Sequence, residues 1–395
     1  MKKTFDVIVI GGGPGGSTAA SFLAKNKVDV AIFERETYPR FHIGESLLPA
    51  TMPIYKETGF YETLSGGKYI EKNGARFIDY RNDDEVYFGF SGGINPAIPM
   101  AYEVPRADFD KDILEHAVKC GAKLFQPERV TEVMPGKDSV VVKTNKGEYE
   151  AKYLLDTSGR DAYLGKRMKL RQVNPDLNNV GVFAHYVGVN RYPGRNEGDI
   201  TVGLLPGAAW TWIIPFKGDR TSVGMVCTSS AFKAESDLGE YLSRNISVSP
   251  RCRKMMENAE RVSEVTVISN YSHTSEVFSG DRWILAGDAA IFLDPIFSSG
   301  VHVASFSGKQ AALTLIKAMN RRVTLQEDGL GDAYQKLIMK GVDRFHSLVS
   351  LFYQGAFVEQ MKKTLTLKNT MEAFTSAVAG DVWNEDNFLF QKKVL

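Results

Sequence analysis

Three observations predict an α/β chain, α+β overall, built in three parts. An apolar, β-branched stretch at Phe5 to Ile10 runs into Gly11, Gly13 and Gly16 and then into helix-forming residues from Ser17 to Lys27. That is the strand, turn and helix order of a Rossmann-like dinucleotide lobe. Aromatic and β-branched runs broken by Gly and Pro, from Tyr69 to Met100 and from Val180 to Thr228, predict a mostly antiparallel sheet inserted between pieces of that lobe. Helical spacing from Ala304 to Met319 and from Asp332 to Met371 predicts a C-terminal helical cap. The expected division is 1–68, 101–160 and 275–330 for the discontinuous nucleotide lobe, 69–100 and 161–274 for the sheet, and 331–395 for the helical region.

The 395 residues exceed one ordinary core, and 43% hydrophobic with 24% charged residues is the balance of a globular protein. A formal charge of +1, from 48 Lys and Arg against 47 Asp and Glu, gives no global field for holding nucleic acid. The widely spaced Cys120, Cys227 and Cys252 build neither a disulfide framework nor a paired-cysteine metal site, and the histidines lack metal spacing. The opening MKKTFDVIVIGGG imitates a signal peptide, but Asp6 splits its apolar run and the glycines close it early. No apolar segment of about twenty residues follows. The reading is a cytoplasmic monomer or homodimer without a membrane partner.

In the N-terminal unit, glycines at 11, 13 and 16 let the backbone turn tightly and approach a pyrophosphate, which the free amides and dipole of the following helix stabilise. Pro14 and Ser17 belong to the same turn. A second strand, Asp29 to Phe33, ends at Glu34, placed to accept from a ribose 2′-OH, with Arg35 beside it. An acid rather than a base there argues against a 2′-phosphate and leaves FAD or NAD.

A late segment chooses between them. The apolar strand of WILAGDAA at 283–290 runs into Asp288 and small residues, followed by DPIFSSG at 294–300 and a helical stretch. A GxGxxG start paired with this segment resembles the FAD-dependent aromatic hydroxylase superfamily, whose aspartate binds the ribityl chain; Asp288 and Pro295 match. VPRADFD at 104–110 is similar to that superfamily's arginine-bearing helix start, making Arg106 a cofactor candidate, and DTSGR at 156–160 to its strand end. The resemblance implies an FAD lobe of the aromatic hydroxylase type. A helix starting after Ser299 and Gly300 would direct free amides at the anionic reduced flavin and leave room for a halide, chloride or bromide.

The stretch WTWIIP narrows the chemistry. Trp210 and Trp212, spaced i, i+2 on a strand, must point to one face. The pattern resembles the tryptophan-pair signature of flavin-dependent halogenases, where the indoles bar the substrate from direct contact with the flavin. EKNGARF at 71–77 resembles the segment carrying that family's essential lysine, so Lys72 is the catalytic candidate. A positioned amine holds HOX, by hydrogen bond or as a chloramine, beside one ring carbon. The run from Tyr38 to Thr51, containing Glu45, resembles the halogenase strap between flavin and halide ends. DPIFSSGV looks like the branch acting on pyrrole held by a carrier protein, with phenol and indole as further rings. No counterpart of the extra acid of free-tryptophan halogenases is visible.

Glu45 and Phe297, together with His302 and Phe306 as i, i+4 neighbours, could line the substrate pocket. Lys166, Arg167, Lys169 and Arg171 could steer an acidic carrier protein or simply be solvated. With no second strand and GxGxxG unit, reduced FAD is expected from a separate flavin reductase, with O2 as co-substrate. An aromatic hydroxylase, a geranylgeranyl-reductase-like FAD saturase and a non-catalytic flavin-binding partner remain as rivals.

Overall fold

The computed structural model describes residues 3–173, 178–232, 237–269, 272–355, 357–364 and 366–391. The chain begins with the strand Lys3–Ile10 and enters the helix Pro14–Lys25. Pro14 suits a first helical turn, where its missing N–H costs nothing. Lys3–Ile10 is central in a sheet whose order runs Ser279–Gly280, Trp283–Leu285, Glu148–Asp156, Lys3–Ile10, Val30–Phe33, Lys123–Phe125. Every pairing from Trp283–Leu285 onward is parallel. Register aligns the carboxyl ends: Ile10 lies opposite both Phe33 and Asp156, and Asp156 opposite Leu285. The loops after these residues therefore share one edge, where open parallel sheets bind ligands.

The second sheet runs Glu260–Arg261, Asn179–Val187, Thr221–Thr228, Ala209–Pro215, Ile200–Leu205, Gly74–Ile78, Glu85–Gly89, with Thr266–Ser269 also on Asn179–Val187. Its pairings are antiparallel except between Ile200–Leu205 and Gly74–Ile78, so strands from both expected runs share this sheet, whereas Ile70–Lys72 pairs instead with Ala101–Glu103 in a separate two-stranded sheet. Strand alternation divides the faces. Val182, Ala184, Ile213, Val223 and Met225 form a small core with the helices Leu238–Ile246 and Pro250–Met255. Phe183, Trp210, Trp212, Ile214 and Val226 point the other way into the main core.

The end of the chain is helical: Ser299–Arg321, Leu330–Tyr353, Phe357–Thr364 and Lys368–Val378. The helical spacing from Asp332 to Met371 resolves into separate helices, because Gly355 takes φ 83° after Tyr353, a turn glycine adopts cheaply. No helix among the described residues is long and apolar enough to cross a membrane.

Candidate active site

A cavity of 740 Å³ opens where the parallel strands end, within the roughly 300–1,000 Å³ of ligand clefts. Gly11, Gly13, Pro14, Glu34, Arg35, Arg106, Asp288, Pro295 and Gly300 line it. Gly16 and Ser17 lie behind the loop instead, where Ser17 Oγ donates to the Gly12 carbonyl at 2.8 Å. Ser299 faces a separate void of 10 Å³, shared with Gly300, Phe292 and Asp294.

The donor set fits a flavin dinucleotide. A Cβ on Gly13 would meet nothing nearer than Arg40 Nη2 at 3.8 Å, so this backbone is open to a close-lying pyrophosphate. Arg160 lines the cavity with no hydrogen bond to a described residue, offering a cation to the same anion. The Asp288 carboxylate likewise accepts no hydrogen bond from a described residue. Withdrawal from water pushes its pKa up to about 6, against the pull of Arg160 and Arg106, so it faces the cavity as an unfilled acceptor. Glu34 is more committed: it accepts from Gly12 N and Glu36 N at 2.8 Å and from the Tyr38 hydroxyl at 3.2 Å. A carboxylate has about four acceptor sites, which leaves room for a ribose hydroxyl. Arg35 pairs with Asp161.

Arg106 does not extend its donors into the cavity. Its Nε and Nη2 hold Asp110 at 2.7 and 3.0 Å, while Nη1 donates to the carbonyls of Ile43 and Gly44 at 2.7 and 3.2 Å. It fastens the backbone at Ile43 and Gly44 to the helix Arg106–Lys119. Asp156, in the motif DTSGR, accepts from Ser158 N and Leu164 N and shapes the turn that presents Arg160.

Trp210 and Trp212 stand on the cavity wall, their ring centroids 5.8 Å apart and 48° inclined. Each indole N–H is engaged: Trp210 Nε1 donates to the Tyr353 hydroxyl at 3.0 Å, and Trp212 Nε1 to Ser222 Oγ at 3.1 Å. Tyr353 in turn donates to Asp294 at 3.1 Å, as Asn179 does at 3.0 Å. Gly224 makes the seat for Trp212, since a Cβ there would lie 2.3 Å from the indole. Buried donors with partners and a ring against bare backbone fix both indoles.

Lys72 is 1% exposed. Its Nζ donates to Ser46 Oγ at 2.7 Å and to the Leu47 carbonyl at 3.1 Å, and lies 5.3 Å from the Phe90 ring centroid. Ser46 lines the cavity and Lys72 does not, so the amine stands one hydroxyl behind the wall. Burial lowers its proton affinity, while Glu103 and Asp199 raise it. Glu45 also lines the cavity; its Oε1 bonds His185 Nε2 at 3.0 Å and its buried Oε2 has no hydrogen-bond partner among the described residues. Sequence reasoning missed Ser46, Glu103, His185 and Tyr353, which lie far along the chain from the residues they touch.

Phe297, His302 and Phe306 do not line the cavity. Phe297 packs against Phe77, Phe352 and Phe357. Phe306 stacks on Trp383 with centroids 3.8 Å apart. His302 is buried and fully bonded, Nδ1 to Thr51 Oγ1 and Nε2 to the Gly380 carbonyl, both at 2.9 Å. The reason is helical phase: Gly300, Val301 and Ala304 face the cavity, and two residues on from 300 or 304 is about 200° around the helix. In the basic cluster Lys166, Arg167 and Lys169 are exposed, whereas Arg171 is half-buried with Nη2 3.5 Å from His273 Nδ1.

A family model described as FAD binding domain matches residues 4–324. The 1H-pyrrole-2-carbonyl-(peptidyl-carrier protein) chlorinase of Pseudomonas fluorescens is 31% identical, with 96% of this chain and 90% of the relative covered. Among solved structures, a flavin-dependent brominase superposes with TM-score 0.86 at 26% identity, covering 99% of this chain and 98% of the other. A flavoprotein/dehydrogenase from Cytophaga hutchinsonii gives TM-score 0.89 at 27% identity, covering 99% and 96%. By the family match and the chlorinase relative, the chain belongs to the flavin-dependent halogenases, with FAD as its cofactor.

Proposed function

We propose that this halogenase passes HOX through Lys72 to an electron-rich ring, pyrrole first and phenol or indole next, with the pyrrole tethered to a carrier protein. The observation that carries the reading is the position of Lys72, a primary amine out of water and joined by the Ser46 hydroxyl to the cavity wall. The chemistry supplied by bound reduced FAD is the oxidation of chloride or bromide by O2 to HOX. The first-turn amides of Ser299 and Gly300 favour the halide anion. Trp210 and Trp212 bar the ring from direct contact with the cofactor. The Lys72 amine then holds HOX beside one ring carbon. Halogen replaces the ring hydrogen, and the released proton leaves with the hydroxide of HOX as water.

Tethering is supported by the chlorinase relative, whose substrate is a pyrrole-2-carbonyl group on a peptidyl-carrier protein. The exposed Lys166, Arg167 and Lys169, with Arg167 on the cavity rim, offer cations to an acidic carrier. Reduced FAD comes from a separate reductase, since the sequence carries one strand and GxGxxG unit. Lys72→Ala is expected to retain FAD and consume reduced flavin while aromatic halogenation falls to background; retained halogenation removes Lys72 from the reaction. Mass spectrometry of free and carrier-loaded pyrrolyl, phenolic and indolic substrates, with each halide and with or without added flavin reductase, tests ring, tether and reductase together.

A further inference from the structure

Strand register assembles two side chains, Ser46 and Glu103, beside the Lys72 amine. The strand Ala101–Glu103 is flanked on one side by Ile70–Lys72, with Lys72 opposite Ala101, and on the other by a bridge from Ser46 to Glu103. Directly opposed residues share a face, as do residues two apart on one strand. Lys72, Glu103 and Ser46 therefore project together, and the small Ala101 side chain leaves the lysine room to reach across. The bonds run in one direction: Lys72 Nζ donates to Ser46 Oγ at 2.7 Å, and Ser46 Oγ donates to Glu103 Oε1 at 3.0 Å.

Resting on the reading of Lys72 given above, we propose that Glu103 is the positioning residue of halogenation, holding the Lys72 amine through Ser46 and exchanging a proton with it along that path. One proton passes from Lys72 Nζ to Ser46 Oγ as the Oγ proton passes to Glu103 Oε1. Ammonium and carboxylate become amine and carboxylic acid, and no net charge enters or leaves the core. Glu103 is 0% exposed and its Oε2 has no hydrogen-bond partner among the described residues, although a buried carboxylate serving structure alone is normally bonded at both oxygens. Burial pushes Glu103 up to about 8 while Lys72 is lowered, which brings the two proton affinities toward each other. The other charged groups acting on the pair are Asp199, bonded to Asn73 N and the Tyr87 hydroxyl, and Glu45, bonded to His185.

The test titrates the Lys72 amine in FAD-loaded enzyme by NMR of ε-labelled lysine, assigned with Lys72→Arg, alongside the pH profile of halogenation at saturating reduced flavin. Glu103→Gln removes the carboxylate that favours the ammonium, so the Lys72 midpoint should fall by about one to three pH units, and the profile should move with it. Glu103→Asp should restore most of both shifts, and it keeps the test open if the glutamine variant does not fold. An unmoved midpoint, or a moved midpoint with an unmoved profile, overturns the proposal. Retained halogenation in Lys72→Ala would instead defeat the underlying reading of Lys72, so the two failures are told apart.

Discussion

At the cofactor end, Asp288 and Arg160 aim polar groups into a 740 Å³ cavity with no side-chain hydrogen bond to a described residue, whereas at the lysine end the Lys72 amine is bonded to Ser46 and Leu47 behind the wall. The first arrangement leaves groups unsatisfied for a ligand to complete. The second satisfies the cation internally and leaves spare oxygens on the acids, Glu45 Oε2 and Glu103 Oε2. The two regions thus handle buried charge oppositely: one turns open polar groups to the cavity, the other pairs its cation within the protein.

The largest effect that could break this comparison is the loss of halogenation in Lys72→Ala with FAD retained; equal loss of FAD would mean the two ends are not separable. Next is acid sensitivity at His302, which joins Thr51 to the Gly380 carbonyl. Burial depresses His302 to about 4, so its contribution to stability is fully present above its ordinary 6.5 and is lost as pH falls through 4, an effect of about 3 kcal/mol. Asp288 and Asp294, each raised to about 6, trend the other way: their contribution is present at low pH and lost as pH rises through 6. The measurement is therefore the difference in unfolding free energy between wild type and His302→Gln from pH 7 to 4, which should narrow as pH falls; a constant difference refutes it. Asp288→Ala should weaken FAD binding by about 2 kcal/mol, or roughly 30-fold, read by flavin fluorescence titration, with unchanged affinity placing the acceptor elsewhere. The smallest effect is Tyr353→Phe, which strips one partner from Trp210 and should cost about 1 kcal/mol in thermal or denaturant unfolding; no change would mean the indole is held by packing alone.

Local pattern carried much of this molecule. The strand, glycine turn and helix at the N-terminus, and the shared face of Trp210 and Trp212, follow from periods of 3.6 and 2 that a short window contains. The Lys72 surroundings do not, because Ser46 and Glu103 reach it only through a register between strands that sequence spacing does not specify. His302 and Phe306 show a subtler failure. Their i, i+4 spacing does place them on one stripe, but only the packed helix reveals that the neighbouring stripe, Gly300, Val301 and Ala304, is the one turned to the cavity.

Arg106 has one further consequence. Because its guanidinium clamps the Ile43 and Gly44 carbonyls while Asp110 neutralises it, the run 38–51 is fixed at Ile43 and Gly44 by a rivet on another segment. Grafting that loop onto a sister enzyme would transplant a ribbon without its fastener, and the graft would keep its course only where the host supplies the same arginine and aspartate one helical turn apart.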